Sequence, residues 1–126
     1  RIGLRSDDQI LVAEYAPYSQ LFPRGAATVH SGGVGTTAQA MISGRPTLIM
    51  PYSHDQPDNG MRITRLGMGG MIGRRKYTVD AVAQRLRHTL LDAGLQARAG
   101  EVGEIVRAEQ GTAAAADALE KHLQRR

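Results

Sequence analysis

The sequence predicts an α/β domain in which helices flank a parallel β-sheet, with a helical tail at the C-terminus. Short apolar runs alternate with helix-compatible segments over residues 9–77, the order typical of parallel sheets. Glycine and proline separate these runs. From residue 78 onward, apolar residues recur at helical spacing. We expect a single domain over residues 1–126, with an α/β core over 9–77 and C-terminal helices over 78–126.

The predicted strands are short apolar runs. They are residues 10–13, 27–30, 47–50 and 69–72. The Ala16-Pro17 pair ends the first of these segments, because the residue before a proline disfavours helical geometry. A doubly wound sheet usually has about five or six strands, and the sequence does not begin with methionine. We therefore expect an N-terminally incomplete domain whose first strands lie before Arg1.

The predicted helices begin and end at residues that favour helix termini. Four of them cover residues 36–42, 78–90, 95–109 and 112–123. Another helix starts within residues 55–59, and residues 19–22 form a single helical turn. Gly44 and Gly67 stand where two of these helices should end. Pro57 lies in the first turn of the helix that starts within 55–59, with acidic residues beside it.

Composition limits the possible partners. The apolar fraction is 41% and the aromatic fraction only 4%, so the core must consist mainly of aliphatic residues. The formal net charge of +4 gives a mild attraction to anions but falls short of a nucleic-acid footprint. No cysteine is present, which excludes disulfides and thiolate metal sites. No apolar run approaches the ~20 residues that cross a bilayer. We expect a bacterial, cytoplasmic protein without a metal site, a nucleic-acid partner or a membrane span.

A glycine-rich segment gives the strongest chemical signal. The run His30-Ser31-Gly32-Gly33-Val34-Gly35-Thr36-Thr37 joins a predicted strand to a predicted helix. Glycines let backbone amides approach a phosphate closely, and a helix N-terminus presents unpaired N–H groups and a positive dipole end. Thr36 and Thr37 add hydroxyl donors. The alternative interpretation is a tight turn that only packs against the sheet, and His30 could equally bond to neighbouring backbone.

Two further segments lie at predicted strand ends, where open α/β sheets bind ligands. In Pro51-Tyr52-Ser53-His54-Asp55-Gln56-Pro57, a carboxylate and an amide stand side by side and can bond to adjacent sugar hydroxyls. Helix capping by Asp55 or Gln56 is the alternative. In Tyr15-Ala16-Pro17-Tyr18, an aromatic ring could stack on a base, or could belong to the core.

The order of these segments resembles the donor-binding signature of nucleotide-sugar glycosyltransferases with the GT-B fold, the superfamily of UDP-glycosyltransferases and of macrolide and sterol glycosyltransferases. The similarity runs from Tyr15 to Asn59 and includes Gly44-Arg45-Pro46 and Pro51. It implies a Rossmann-like C-terminal donor-binding domain. It also implies that the donor substrate is a UDP- or TDP-sugar and that no cofactor is needed.

The resemblance assigns roles to individual residues. It implies that Tyr15 stacks on the base and that Ala16 offers its backbone to the base edge. Gly35 and Thr36 contact the diphosphate, and Asp55 with Gln56 holds the sugar hydroxyls. The full expected donor site is Tyr15, Ala16, Tyr18, His30, Ser31, Gly32, Gly33, Gly35, Thr36, Gln39, His54, Asp55 and Gln56.

Three positions depart from the family pattern. The phosphate-binding histidine of the family falls on Ser31, so either His30 takes its place through a shifted turn or Ser31 and the backbone amides suffice. Gln39 stands where many relatives have a glutamate that binds the ribose, and loses the charge-assisted strength of that bond. Tyr18 replaces the glutamine of the plant motif. These departures concern donor choice and affinity.

The resemblance implies an inverting transfer of a hexosyl group to an acceptor hydroxyl. The acceptor and the catalytic base belong to an N-terminal domain, so we expect no catalytic residue in this chain and no activity of the chain alone. A second hypothesis is a noncatalytic nucleotide- or phosphate-binding module that assembles with a partner chain.

Overall fold

Three parallel strands form the sheet of the protein, and helices pack around it. The structure, a computed structural model, describes residues 6–124. The strands are β1 (Thr28–His30), β2 (Thr47–Ile49) and β3 (Gly69–Met71), in the order β1-β2-β3. Thr28 pairs with Thr47, and Thr47 pairs in turn with Gly69. The predicted α/β class with a parallel sheet is confirmed.

Six α-helices accompany the sheet in residues 6–124. They are α1 (Tyr18–Leu21), α2 (Val34–Ser43), α3 (Gln56–Leu66), α4 (Val79–Leu91), α5 (Ala93–Ala108) and α6 (Gly111–Gln124). Short 3-10 turns occur at Phe22–Arg24 and Arg74–Lys76. The predicted helical tail is therefore present, and no residue of α6 is buried.

Helix ends fall where the sequence predicts them. Gly44 and Gly67 end α2 and α3 in left-handed conformations, with φ of 66° and 72°. Glycine adopts this conformation without the steric cost that a Cβ atom would bring. Thr78 caps α4 through its side chain, which accepts a hydrogen bond from the backbone N–H of Ala81.

The core lies between β2 and the helices. All three residues of β2 are buried, as expected for the central strand of a parallel sheet. The main cluster of buried apolar residues joins β2, α3 and α5, and comprises Ile49, Ile63, Met68, Ala99 and Val102.

Helix α5 also holds the ends of two other helices. Arg98 donates from Nε to the carbonyl of Leu66, the last residue of α3, and Arg107 donates from Nη1 to the carbonyl of Ile42 near the end of α2. Cationic groups at helix C-termini are favourable because they complement the helix dipole. The C-terminal helices thus fix the positions of the two helices that follow β1 and β2.

One predicted strand is wrong. Residues 10–13 form no strand, and Leu11 is 87% exposed. No neighbouring strand among residues 6–124 pairs with this segment. Its backbone is satisfied locally instead: the Ser6 hydroxyl accepts from the N–H of Val12 (2.9 Å), and Asp7 accepts from the N–H groups of Gln9 and Ile10. An apolar run predicts burial only when a partner covers it, and this one has none in the described part of the chain.

Candidate functional site

The glycine turn between β1 and α2 has a conformation that requires glycine. Gly32 has a φ of 91°, and a Cβ atom there would lie 2.8 Å from Cγ2 of Ile49 and 3.1 Å from the carbonyl oxygen of Gln56. The turn is therefore packed directly against β2 and the start of α3. At Gly33, by contrast, a Cβ atom would meet nothing within 4 Å. The close approach of backbone at Gly32 builds the turn, and Gly33 leaves space open beside it.

The start of α2 presents unpaired backbone donors next to this turn. Gly33 is the N-cap and makes no side-chain capping bond. The helical ladder begins with the N–H of Thr37, which donates to the carbonyl of Gly33 (2.9 Å). The N–H groups of Val34, Gly35 and Thr36 precede it and have no place in the ladder. A helix start of this kind favours an anion.

His30, the last residue of β1, has one bonded and one unbonded ring nitrogen. Its Nδ1 accepts a hydrogen bond from the backbone N–H of Gly32 (3.0 Å). Burial disfavours the charged imidazolium and lowers the pKa of His30. In the neutral ring the proton is then on Nε2, which is buried without a partner in residues 6–124. The imidazole fixes the turn through one nitrogen and keeps a donor at the other.

The hydroxyl groups near the turn differ in exposure. Ser31 is exposed, and Thr36 is half-buried. Thr37 is only 8% exposed, and its Oγ1 is buried with no partner among the described residues. Thr36 is therefore the threonine of this pair that is open to solvent, and Thr37 lines a cavity between α2 and α3.

The loop after β2 is held by Gln56. Its Oε1 accepts hydrogen bonds from the backbone N–H groups of Tyr52 (2.7 Å) and Ser53 (3.1 Å). Asp55 is the N-cap residue of α3 but makes no capping bond through its side chain. Of the two predicted capping residues, Gln56 does bond to backbone N–H groups. The Asp55 side chain is exposed and bonds to the side chain of Asn59 instead.

Asn59 connects this loop to the glycine turn. Its Nδ2 donates both to the carbonyl of Gly32 (2.9 Å) and to Oδ2 of Asp55 (2.7 Å). The turn, the start of α3 and the Asp55 carboxylate therefore form one bonded unit. The sequence assigns Asn59 no role of its own, although it ends the segment that resembles the family. Its position one helical turn after Asp55 is the signal that could have identified its role.

His54, just before Asp55, has an unusual backbone. Its φ is 58°, and it is the only residue other than glycine with positive φ among the described residues. Its Nδ1 lies 2.7 Å from Oγ of Ser53. Non-glycine residues in this conformation are uncommon and occur often at ligand sites.

A cavity of about 410 Å³ brings the N-terminal aromatic segment together with α2. It is lined by Glu14, Tyr15, Ala16, Pro17, Tyr18, Ser19 and Gln39. Tyr15 is 83% exposed, which rules out the alternative that it is a core residue. Tyr18 stacks on Phe22 with ring centroids 4.6 Å apart. Four residues predicted from the resemblance thus share one cavity, and Glu14 joins them without having been predicted.

A second feature not predicted from the sequence lies on the loop after β2. The guanidinium of Arg74, which follows β3, lies 4.1 Å from the ring centroid of Tyr52. Such a cation–π contact is favourable at partly exposed sites. It ties the segments after β2 and β3 to each other, beside Asp55 and Gln56.

Neither a metal site nor a membrane span appears in the part of the chain that the structure describes. Residues 6–124 contain no group of three or more ligating side chains that could hold a metal ion. No helix within the same residues has the length and apolar character needed to cross a membrane.

Comparison with known proteins identifies the family to which the chain belongs. Residues 5–121 match the family model described as Erythromycin biosynthesis protein CIII-like, C-terminal domain. The chain therefore belongs to this family of C-terminal domains of GT-B glycosyltransferases.

Particular relatives support the same family. The chain is 36% identical over 112 residues to O-mycaminosyltylonolide 6-deoxyallosyltransferase of Streptomyces fradiae, which is 88% of this chain and 26% of that protein. It is 34% identical over 117 residues to Sterol 3-beta-glucosyltransferase UGT80B1 of Arabidopsis thaliana, covering 92% of this chain and 19% of the relative. The chain thus spans about a fifth to a quarter of the length of these two relatives.

A solved structure agrees with this assignment. The glycosyltransferase VinC, crystallised in complex with DTDP, matches with a TM-score of 0.75 at 27% identity, over 81% of this chain and 26% of VinC. The architecture of strands and helices described above is therefore shared with a glycosyltransferase of known structure.

Proposed function

We propose that this chain is the donor-binding part of a glycosyltransferase that moves a hexosyl group from a UDP- or TDP-sugar to an acceptor hydroxyl with inversion. The observation that carries the proposal is the glycine turn, because its geometry offers several backbone donors to one anion. Gly32 shapes the turn, and the N–H groups at the start of α2 lie outside the helical ladder. Family membership supports a donor-binding role for the turn.

The diphosphate of the donor binds at this turn. The N–H groups of Gly35 and Thr36, with the Thr36 hydroxyl, bond to phosphate oxygens, while Ser31 supplies an exposed hydroxyl. Such donors also stabilise charge that develops on the leaving nucleoside diphosphate, which makes them catalytic through electrostatics as well as binding. The neutral His30 contributes by fixing the Gly32 N–H through Nδ1, while its Nε2 stays buried.

The nucleoside binds in the cavity beside α1. The exposed ring of Tyr15 stacks on the base, Ala16 meets the base edge through its backbone, and Gln39 bonds to the ribose hydroxyls. The cavity volume of about 410 Å³ lies within the range of about 300–1,000 Å³ usual for small-molecule sites.

The sugar lies over the start of α3. Asp55 accepts hydrogen bonds from sugar hydroxyls, and Asn59 keeps its carboxylate in position. Gln56 holds the loop with Oε1 and has its amide N–H₂ left for the sugar. His54, next to Asp55 in the chain, has a left-handed backbone, and its Nδ1 lies 2.7 Å from Oγ of Ser53.

The base that deprotonates the acceptor comes from outside this chain, as does the acceptor site. The chain alone therefore does not catalyse transfer. Sustained transfer of a sugar from UDP-glucose to simple phenols by the 126-residue chain would contradict this part of the proposal.

Calorimetric titration tests the binding function. UDP and TDP should bind more tightly than ADP or NAD, and Tyr15→Ala should weaken the pyrimidine nucleotides. Preference for NAD would contradict the transferase function. Equal binding of all nucleotides and of inorganic pyrophosphate would favour a noncatalytic phosphate-binding module.

A further inference from the structure

A third cavity lies at the opposite edge of the sheet from β1. It has a volume of about 400 Å³ and is bounded by β3, the outer strand, and by residues of α3 and α4. It shares no lining residue with the Tyr15 cavity and includes no residue of the glycine turn. The proposed donor function therefore makes no use of it.

The floor of this cavity is apolar. Leu48 of β2 is fully buried beneath it, and Met61, Met71 and Leu95 complete the apolar lining. A Cβ atom at Gly69 would collide with the backbone of Thr47, whereas at Gly70 the nearest atom would be Cδ1 of Leu48, at 3.9 Å. An apolar group of a ligand would therefore meet mainly aliphatic and thioether surface.

The rim of the cavity is basic. Arg65, Arg85 and His88 all line it, and no aspartate or glutamate does. Arg65 and Arg85 form no hydrogen bond or ion pair within residues 6–124. Asp92 approaches the rim, with Oδ2 3.7 Å from Nε2 of His88, but its Oδ1 caps the N–H of Leu95. Within the described residues, two guanidinium groups therefore remain uncompensated.

A threonine hydroxyl adds a polar contact inside the cavity. Thr89 lines the cavity and is only 3% exposed, and its hydroxyl makes no hydrogen bond within the described residues. This oxygen is not among the fully buried, unpartnered atoms of the described residues, so it is accessible to a ligand atom in the cavity.

We propose that this cavity binds a single-chain amphipathic anion, a carboxylate or phosphate ester attached to an apolar chain. The oxyanion bonds to Arg65 and Arg85, which suit carboxylate and phosphate geometry. The apolar chain covers Met61, Met71 and Leu95. A cavity of about 400 Å³ falls within the range of about 300–1,000 Å³ typical of ligand sites.

Titration with octyl phosphate below its micelle concentration tests this proposal. Octyl phosphate should bind more tightly than inorganic phosphate, which lacks the chain, and than octyl glucoside, which lacks the charge. Arg85→Gln should weaken binding about fivefold, the effect of one partly exposed ion pair. Arg65→Gln should do the same, although Arg65 also borders the cavity between α2 and α3.

The matched control is Arg87→Gln. Arg87 lies on the same helix as Arg85 but lines a different cavity, so its removal should leave octyl phosphate binding unchanged. Circular dichroism of each variant establishes that it folds, and UDP affinity should be unaffected, which separates this site from the donor site. Equal loss in all three variants, equal binding of octyl glucoside, or binding of anionic vesicles only would each overturn the proposal.

Discussion

Residues 28–59 and residues 6–17 both carry proposed donor-binding side chains, but the protein holds them in different ways. The first region contains β1, α2, β2 and the start of α3, and its turn is fixed by Gly32 against β2 and by Asn59. In the second region Tyr15 is 83% exposed, and local hydrogen bonds of Ser6 and Asp7 replace sheet pairing.

The difference indicates that different interactions hold the two halves of the proposed donor site in place. The proposed diphosphate site is preorganised by packing of backbone on backbone, so the fold itself supplies it. The proposed base site depends on one exposed ring and on a segment with little burial. Changes in the first region should therefore affect stability and binding together, and changes in the second should affect binding alone.

Alanine substitutions at one buried and one exposed leucine should show the largest difference in stability between the two regions. Leu48→Ala in β2 removes a fully buried side chain and should lower the free energy of unfolding by about 2–5 kcal/mol. Leu11→Ala changes a side chain that is 87% exposed and should stay within about 0.5 kcal/mol of the parent. Urea unfolding measures both. A comparable loss in Leu11→Ala would mean that the N-terminal segment is packed.

Alanine substitutions at two neighbouring glycines test which of them the turn requires. Gly32→Ala places a Cβ atom 2.8 Å from Ile49 in a backbone with positive φ, and should cost about 2–4 kcal/mol and weaken UDP binding. At Gly33 a Cβ atom meets nothing within 4 Å, so Gly33→Ala should change stability by less than about 1 kcal/mol. Equal stability of the two variants would contradict the proposed construction of the turn.

Tyr15→Ala tests the exposed region. Loss of stacking on the base should weaken UDP binding about tenfold, since one base–aromatic stack contributes about 1–3 kcal/mol. The urea midpoint should not move, because the ring is 83% exposed. Tyr77→Ala, in an exposed tyrosine that lines a cavity on α4, is the control and should leave UDP affinity unchanged. Unfolding of Tyr15→Ala at lower urea would show that this ring supports the fold.

The pH dependence of the free energy of unfolding should show the contribution of His30. Burial lowers its pKa in the folded protein below the ordinary value of 6.5, so the unfolded chain takes up a proton first as the pH falls. The stability that the neutral ring gives is complete above about pH 6.5 and decreases below it. Unfolding measured at about pH 7.5 and about pH 5.5 should show a smaller decrease in His30→Asn than in the parent. His122→Asn, on exposed α6, should behave like the parent.

Much of the fold follows from local patterns in the sequence, and the missing part has a physical cause. Strands β1, β2 and β3 and the ends of α2 and α3 are predictable because apolar runs and terminal glycines act locally. The strand predicted at 10–13 is wrong, because a strand needs a pairing partner that local composition does not reveal.

The candidate site likewise contains features that the sequence predicts and features that it does not. The glycine turn and the Asp55-Gln56 pair are predictable, since their residue types carry their chemistry. The bridge that Asn59 makes to Gly32, the placement of Glu14 and the contact of Arg74 with Tyr52 are not. These contacts join residues on separate elements, and their geometry is set only when the elements pack.

Amide NMR of the chain titrated with UDP tests the central claim that the glycine turn binds the diphosphate of a nucleotide sugar. The largest shifts should occur at the N–H groups of Gly33, Val34, Gly35 and Thr36, with smaller shifts near Tyr15 and Gln39. Uridine, which has no phosphate, should shift only the second group. Saturable UDP binding that leaves the amides of residues 33–36 unmoved would contradict this claim.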